Sequence, residues 1–267
     1  MSSSKRARAA LLVALLLGGM AHAATVQLEE LTSTELQQRV AQGTRTVLVP
    51  LGGTEQNGAH MALGKHNVRV RVLAGMIAQS LGNAVVAPVL AYVPEGAIEP
   101  PTQHMRWPGT ISIPEPAFEA TLAGAARSLR QHGLCQVVLL ADHGGYLASV
   151  KRVAEQINRE WARSPCRVHA MPEYYRAAAE DFAKDLAAKG YSAAEIGSHA
   201  GLADTSLTLA IDPSLVRMDQ LQRAAKAGER EGVWGDPRRA SVELGQLGVD
   251  RIVAASVAAI RERTRVR

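Results

Sequence analysis

The stretch VLVPLGGTEQNGAHMALGKHN, residues 47–67, decides how the chain is read. It opens as an apolar, β-branched run, breaks at Gly52-Gly53, and then presents Glu55, Asn57, His60 and His66 close together. A short apolar run ended by a glycine turn reads as a buried strand. A strand that empties into a polar loop is where α/β enzymes carry their chemistry.

Outward from that stretch the chain alternates strand and helix. Thr32 to Gln42, opened by an S/T-x-x-E-like cap at Ser33 to Gln37, reads as an amphipathic helix leading into a strand from Thr46 to Pro50. Val68 to Leu81 has helical spacing and stops at Gly82, and Ala84 to Val93 is β-rich but interrupted by Pro88. A Pro-rich loop, Pro94 to Pro108, precedes a short predicted strand, GTISI, and a helix from about Glu115 to Gln131. Strand Gln136 to Ala141, helix Tyr146 to Arg163 and strand Arg167 to Met171 follow. This order predicts an α/β fold: three layers, αβα, with a mostly parallel central sheet and active residues at the carboxyl ends of its strands.

At 267 residues and 47% apolar composition, the chain can bury a sizeable core. Its first residues stand apart. Lys5, Arg6 and Arg8 precede the apolar run Ala9 to Met20, and Ala21-His22-Ala23 has the small-x-small form of a signal-peptidase site. The expectation is a signal peptide over residues 1–23, a single domain over 24–267, and an exported, periplasmic or secreted product. The apolar run is shorter than the roughly 20 residues a spanning helix needs, so no stable membrane anchor is expected. Removing the segment takes away three basic residues and no acidic ones, which lowers the formal charge from +5 to +2. No basic run or aromatic-interleaved basic stripe remains, so composition gives no case for nucleic-acid binding. Cys135 and Cys166 each stand at the start of an expected strand; in an exported protein a bridge and a pair of buried thiols are both open.

Two later stretches repeat the pattern of a strand end followed by polar residues. The apolar run VVLLA meets Asp142-His143-Gly144-Gly145-Tyr146, and Gly197-Ser198-His199-Ala200-Gly201 leads to Asp204-Thr205-Ser206 at the start of an expected helix, Asp204 to Ile211. The three stretches together resemble the creatininase (creatinine amidohydrolase) family. The first is similar to its G-x-x-E-Q-x-G-x-H motif, the second to its N-G-H-G-G-N or N-G-H-Y-E-N segment, and the third to H-A-G-x-x-E-T-S, with Asp204 in place of Glu. Trp107-Pro108-Gly109-Thr110 and Gly232-Val233-Trp234-Gly235-Asp236-Pro237 resemble, more loosely, the family's F-P-G-T and G-x-x-G-D-P pieces.

The resemblance implies a metal-dependent amidohydrolase acting on a small molecule, with a homo-oligomer as its usual assembly. Three positions depart from the family pattern. Asn57 stands where the motif has a His ligand, His66 where it closes on an Asp that bridges two ions, and Gly145 where one form of the family has a Glu for the second ion. An imidazole offers one lone pair to one metal, whereas a carboxylate can bridge two. These changes point to one ion rather than two, held by Glu55, His66 and His143: zinc, with manganese as the alternative. His199 and Asp204 are the expected proton-transfer residues, and His60, Asn57, His104, Trp107 and Tyr146 the expected substrate-facing ones. His132 is assigned to a helix C-terminus, His169 to a structural strand position, and Lys65 to solvent. The expected reaction is cleavage of a cyclic or small-molecule C–N amide bond. A lactone or ester hydrolase on the same site, and an exported binding protein that has lost the chemistry, are the rival readings.

Overall fold

The computed structural model describes residues 25–265; the expected signal peptide lies outside the described residues. Four strands, β1 (Thr46–Leu51), β2 (Ala84–Val86), β3 (Gln136–Ala141) and β4 (Arg167–Ala170), form a parallel sheet in the order β2-β1-β3-β4. Val47 of β1 is in register with Val85 on one side and Val137 on the other. Among the described residues, ten α-helices accompany the sheet: α1 (Ser33–Ala41), α2 (Lys65–Leu81), α3 (Glu115–Gln131), α4 (Leu147–Glu160), α5 (Pro172–Arg176), α6 (Phe182–Ala188), α7 (Ala193–Ile196), α8 (Leu202–Ile211), α9 (Leu221–Ala227) and α10 (Val242–Thr264).

Burial on both faces explains why β1 and β3 are almost uninterruptedly apolar instead of alternating. Leu48, Val86, Val138 and Leu140 point into one core with side chains of α2, α8 and α10, while Val47, Val49, Leu51, Val85, Val137 and Leu139 point into a second core with α3 and α4. The three-layer parallel arrangement therefore follows the expected αβα class. Among the described residues, no helix is long and apolar enough to cross a membrane.

Several boundaries differ from the sequence expectation, each for a local reason. The α1 cap is Thr32 with Glu35, which exchange hydrogen bonds in a capping box one residue earlier than expected. β2 stops at Val86, and beyond Pro88 only Leu90 bridges to Leu51. GTISI forms no strand; it contributes one antiparallel bridge, Ile111 to Thr54, and the Ser112 hydroxyl instead ties the loop at Glu95 N–H and Gly96 C=O. The residues after β3 make a short 3-10 turn, Gly144–Tyr146, before α4 begins. Most consequentially, α2 starts at Lys65 and α8 at Leu202, so Lys65, His66 and Asp204 all lie in first helical turns.

Cys135 and Cys166 form a disulfide that joins the amino ends of the neighbouring strands β3 and β4 across 31 residues of chain. Closing a loop of that length restricts the unfolded chain, a contribution of roughly 2–4 kcal/mol. Replacing both cysteines by alanine is expected to lower the unfolding free energy by that amount in a denaturant titration; an unchanged midpoint would show that the bridge contributes nothing.

Candidate metal centre

The site lies beyond the carboxyl ends of β1, β2 and β3, where three loops converge. The β1 loop brings Glu55, fully buried. Its turn needs glycine: Gly53 has a φ of 153°, and a Cβ there would stand 2.3 Å from Glu95 Oε1. Asn57 ties the same loop by donating to the carbonyls of Glu55 (2.9 Å) and Ala62 (3.1 Å). The loop after β2 brings Glu95 and, on a 3-10 turn, His104; the end of β3 brings Asp142 and His143.

Glu55, Glu95, His104 and His143 offer ligand atoms that all lie within 4.8 Å of one another. Glu55 Oε2 is 3.2 Å from His104 Nε2 and 3.5 Å from His143 Nε2, while Glu95 Oε2 is 3.3 Å from His143 Nδ1. None of these approaches is aligned as a hydrogen bond: Glu55 Oε2 and both Glu95 oxygens are buried without a partner. Burial keeps the imidazoles neutral, with His143 pushed down to about 4 despite Glu55 and His104 also lowered. Burial first, then the charge of Glu55, pushes Glu95 up to about 9. Buried oxygens without donors, facing neutral imidazoles, are incomplete without a cation, and two carboxylates with two imidazoles suit a divalent one.

The other side of Glu55 already has partners. Oε1 lies 2.7 Å from His66 Nε2 and 3.5 Å from Lys65 Nζ. Lys65 also pairs with Asp204 Oδ2, whose Oδ1 is 2.6 Å from Arg69 Nη1. Arg69 continues to Asp142 Oδ2 at 2.8 Å, and that same oxygen meets His66 Nδ1 at 2.5 Å. Burial alone would raise Glu55 and Asp204, but the groups around them hold both well below the usual carboxylate range: His66 and Lys65 around Glu55, Lys65 and Arg69 around Asp204.

This geometry corrects the expected residue roles. Glu55 and His143 meet in the cluster, but His66 does not join them, because both of its ring nitrogens are already hydrogen-bonded to carboxylate oxygens, at 2.7 Å to Glu55 Oε1 and 2.5 Å to Asp142 Oδ2, whereas the carboxylate oxygens beside His143 have no hydrogen bond. Glu95 and His104 complete the set. Lys65, expected in solvent, has no exposed surface. Asp204 is not a free proton carrier: Lys65 and Ala200 N–H (3.0 Å) occupy one oxygen and Arg69 the other. His199 is better placed for that work. Its Nε2–H donates to the Gln56 carbonyl at 2.9 Å, which leaves Nδ1 as acceptor 3.6 Å from Glu55 Oε1.

Of the residues expected to face substrate, Asn57 is a loop brace. Tyr146 is 1% exposed, with its hydroxyl 2.9 Å from the Leu51 carbonyl and 2.5 Å from that of Gly52, so it fastens the β1 turn. His60 is buried, with Nε2 3.0 Å from the Thr205 hydroxyl. His104 belongs to the metal cluster. Trp107 alone is left as a candidate, half-buried and edge-on to Trp234 with ring centres 5.8 Å apart; Trp234 in turn lies 5.7 Å from His199 and 6.3 Å from His104. Glu95 and Trp234 escaped the sequence reading as site residues. The available signal for Glu95 was an acidic residue in V-P-E-G, just beyond a strand and in the same loop as His104.

The chain belongs to the creatininase family: residues 29–260 match it, under the description creatinine amidohydrolase. It is 27% identical over 255 residues to the creatinine amidohydrolase of Pseudomonas putida, covering 87% of this chain and 95% of that protein. It is 28% identical over 224 residues to the mycofactocin precursor peptide peptidase of Mycolicibacterium smegmatis, covering 75% of this chain and 78% of that protein. A solved manganese creatininase superposes with a TM-score of 0.74 at 26% identity, covering 91% of this chain and all of the other. Family membership and the buried cluster together support a metal-dependent hydrolase.

The raised Glu95 sets the sign of a pH dependence. Near pH 7 the metal-free protein holds a proton on Glu95 that an incoming cation must displace, whereas His143 has none to give. Metal affinity should therefore rise about tenfold per pH unit from pH 6 to 8 and level off near 9. Calorimetric titration with Zn²⁺ or Mn²⁺ across that range checks it, and Glu95→Gln should bind more weakly and lose the slope. A flat wild-type profile would remove Glu95 from the ligand set.

Proposed function

We propose that the protein is a metal-dependent hydrolase of a C–N amide bond in a small molecule, with one divalent ion, zinc or manganese, held by Glu55, Glu95, His104 and His143. The observation that carries this reading is the buried carboxylate oxygens of Glu55 and Glu95, without donors and turned toward neutral imidazoles. When bound, the ion would supply Lewis acidity toward a substrate carbonyl and lower the pKa of a water. The protein's own groups do the rest. His199, fixed through Nε2–H on the Gln56 carbonyl, offers Nδ1 to the attacking water's proton and returns it to the departing nitrogen. Burial and the Lys65 charge push His199 down to about 3, so it is neutral at working pH and starts as an acceptor. Trp234, edge-on to Trp107 and beside His199, would give the substrate an apolar surface next to the proton-transfer group.

Substrate class within the amides is the finer part of the proposal. A cyclic or other non-peptide amide is favoured by the relation to creatinine amidohydrolase, and a peptide amide is the second reading because of the relation to the mycofactocin peptidase. We further propose export after removal of residues 1–23 and assembly into a homo-oligomer. The Pro-rich loop offers Ile98, 57% exposed, as an apolar contact for another copy. A single-subunit mass at micromolar concentration in solution would end the assembly proposal.

His143→Ala is expected to lose both tightly bound metal and turnover, and His199→Ala to keep its metal while kcat falls by about 10²–10⁴. A metal-replete protein that opened no cyclic amide, linear amide, short peptide or lactone in a broad panel would favour the binding-protein reading instead.

A further inference from the structure

Lys65 breaks two rules at once. It is a fully buried ammonium, and it sits in the first turn of α2, the end of a helix whose dipole disfavours a cation. Such a placement persists only where fixed negative charge surrounds it, and here Glu55 Oε1 lies 3.5 Å away with Asp204 in direct contact. The arrangement across Glu55 is two-sided. Oε2 and Glu95 face the imidazoles of His104 and His143 without a hydrogen-bond donor, whereas Oε1, Asp204 and Asp142 are answered by Lys65, Arg69 and His66.

We propose that Lys65 is the resident second cation of the site: its ammonium, seated between Glu55 and Asp204, holds the position a second divalent ion would need and so fixes the metal count at one. This rests on the metal-hydrolase reading above. A carboxylate placed between two ions satisfies one with each oxygen, and Glu55 is placed that way here, with an ammonium on one side in place of the ion. Arg69 reinforces the exclusion by occupying Asp204 Oδ1, the other oxygen through which a carboxylate could grip metal. A purely structural ion pair would give the same stability but would leave metal capacity unchanged, so capacity separates the two roles.

The test is metal content after exchange into metal-free buffer and reloading with excess Mn²⁺, read by elemental analysis and electron paramagnetic resonance. Wild type should hold one equivalent with the spectrum of an isolated Mn²⁺ ion. Lys65→Ala, which removes the charge and leaves room, should take up a second equivalent and show a spin-coupled pair, whereas Lys65→Arg should remain at one. If Lys65→Ala unfolds without metal, the proposal requires millimolar Mn²⁺ to restore its thermal transition with two equivalents bound; failure to restore it overturns the proposal. A folded Lys65→Ala that stays at one equivalent, or a wild type that holds two, also overturns it. A wild type that binds no metal would instead sink the hydrolase reading on which the proposal stands.

Discussion

The site depends on a single buried carboxylate. Glu55 leaves the carboxyl end of β1 with no exposed surface, and its two oxygens meet different surroundings. One faces His66 and Lys65; the other faces His104 and His143 and has no hydrogen bond. An ionised carboxylate has lone pairs on both oxygens and loses heavily when either is buried unanswered. Everything around Glu55 can be understood as the answer to that requirement, either as a fixed cation or as a set of donors suited to a metal.

The charge network behind Glu55 also determines how the helices seat. Arg69, one turn beyond Lys65 on α2, spans Asp142 at the end of β3 and Asp204 in the first turn of α8. The Tyr174 hydroxyl donates to the remaining Asp142 oxygen at 2.7 Å. Strand end, α2, α5 and α8 are thus tied at one buried point. Ala200 adopts a left-handed φ of 56° and donates its N–H to Asp204, a strained turn that sets His199 beside Glu55. Buried ion pairs seldom add net stability over an apolar core. Their presence here is better understood as positioning, because the groups they hold are those of the site.

Much of this was legible in the chain before folding. Continuous apolar runs separated by helical spacing gave the parallel αβα architecture, since a strand covered on both faces must be apolar throughout. The strand-end rule placed Glu55 and His143 in one crevice, because parallel strands deliver their carboxyl ends to the same edge. Boundaries were less legible where side chains took over backbone partners, as Ser112 did in the predicted GTISI strand. The disulfide was open in the sequence and decided by register, which places Cys135 and Cys166 beside one another before paired strands.

By itself, then, the sequence determined the sheet, its covering layers and the strand edge at which its polar stretches gather, all of which follow from local periodicity and strand direction. Only the tertiary structure decided which polar atoms converge. His66 and His143 are the same residue type in polar stretches that follow strands, yet one ring is hydrogen-bonded to Glu55 and Asp142 while the other faces Glu55 and Glu95 without a hydrogen bond to either. That difference depends on the path of a Pro-rich loop closing from another strand. Lys65 was likewise undecidable from its neighbours. A lysine's ordinary place is in water, and only the approach of Asp204, 139 residues further along the chain, surrounds it with enough negative charge to keep it buried.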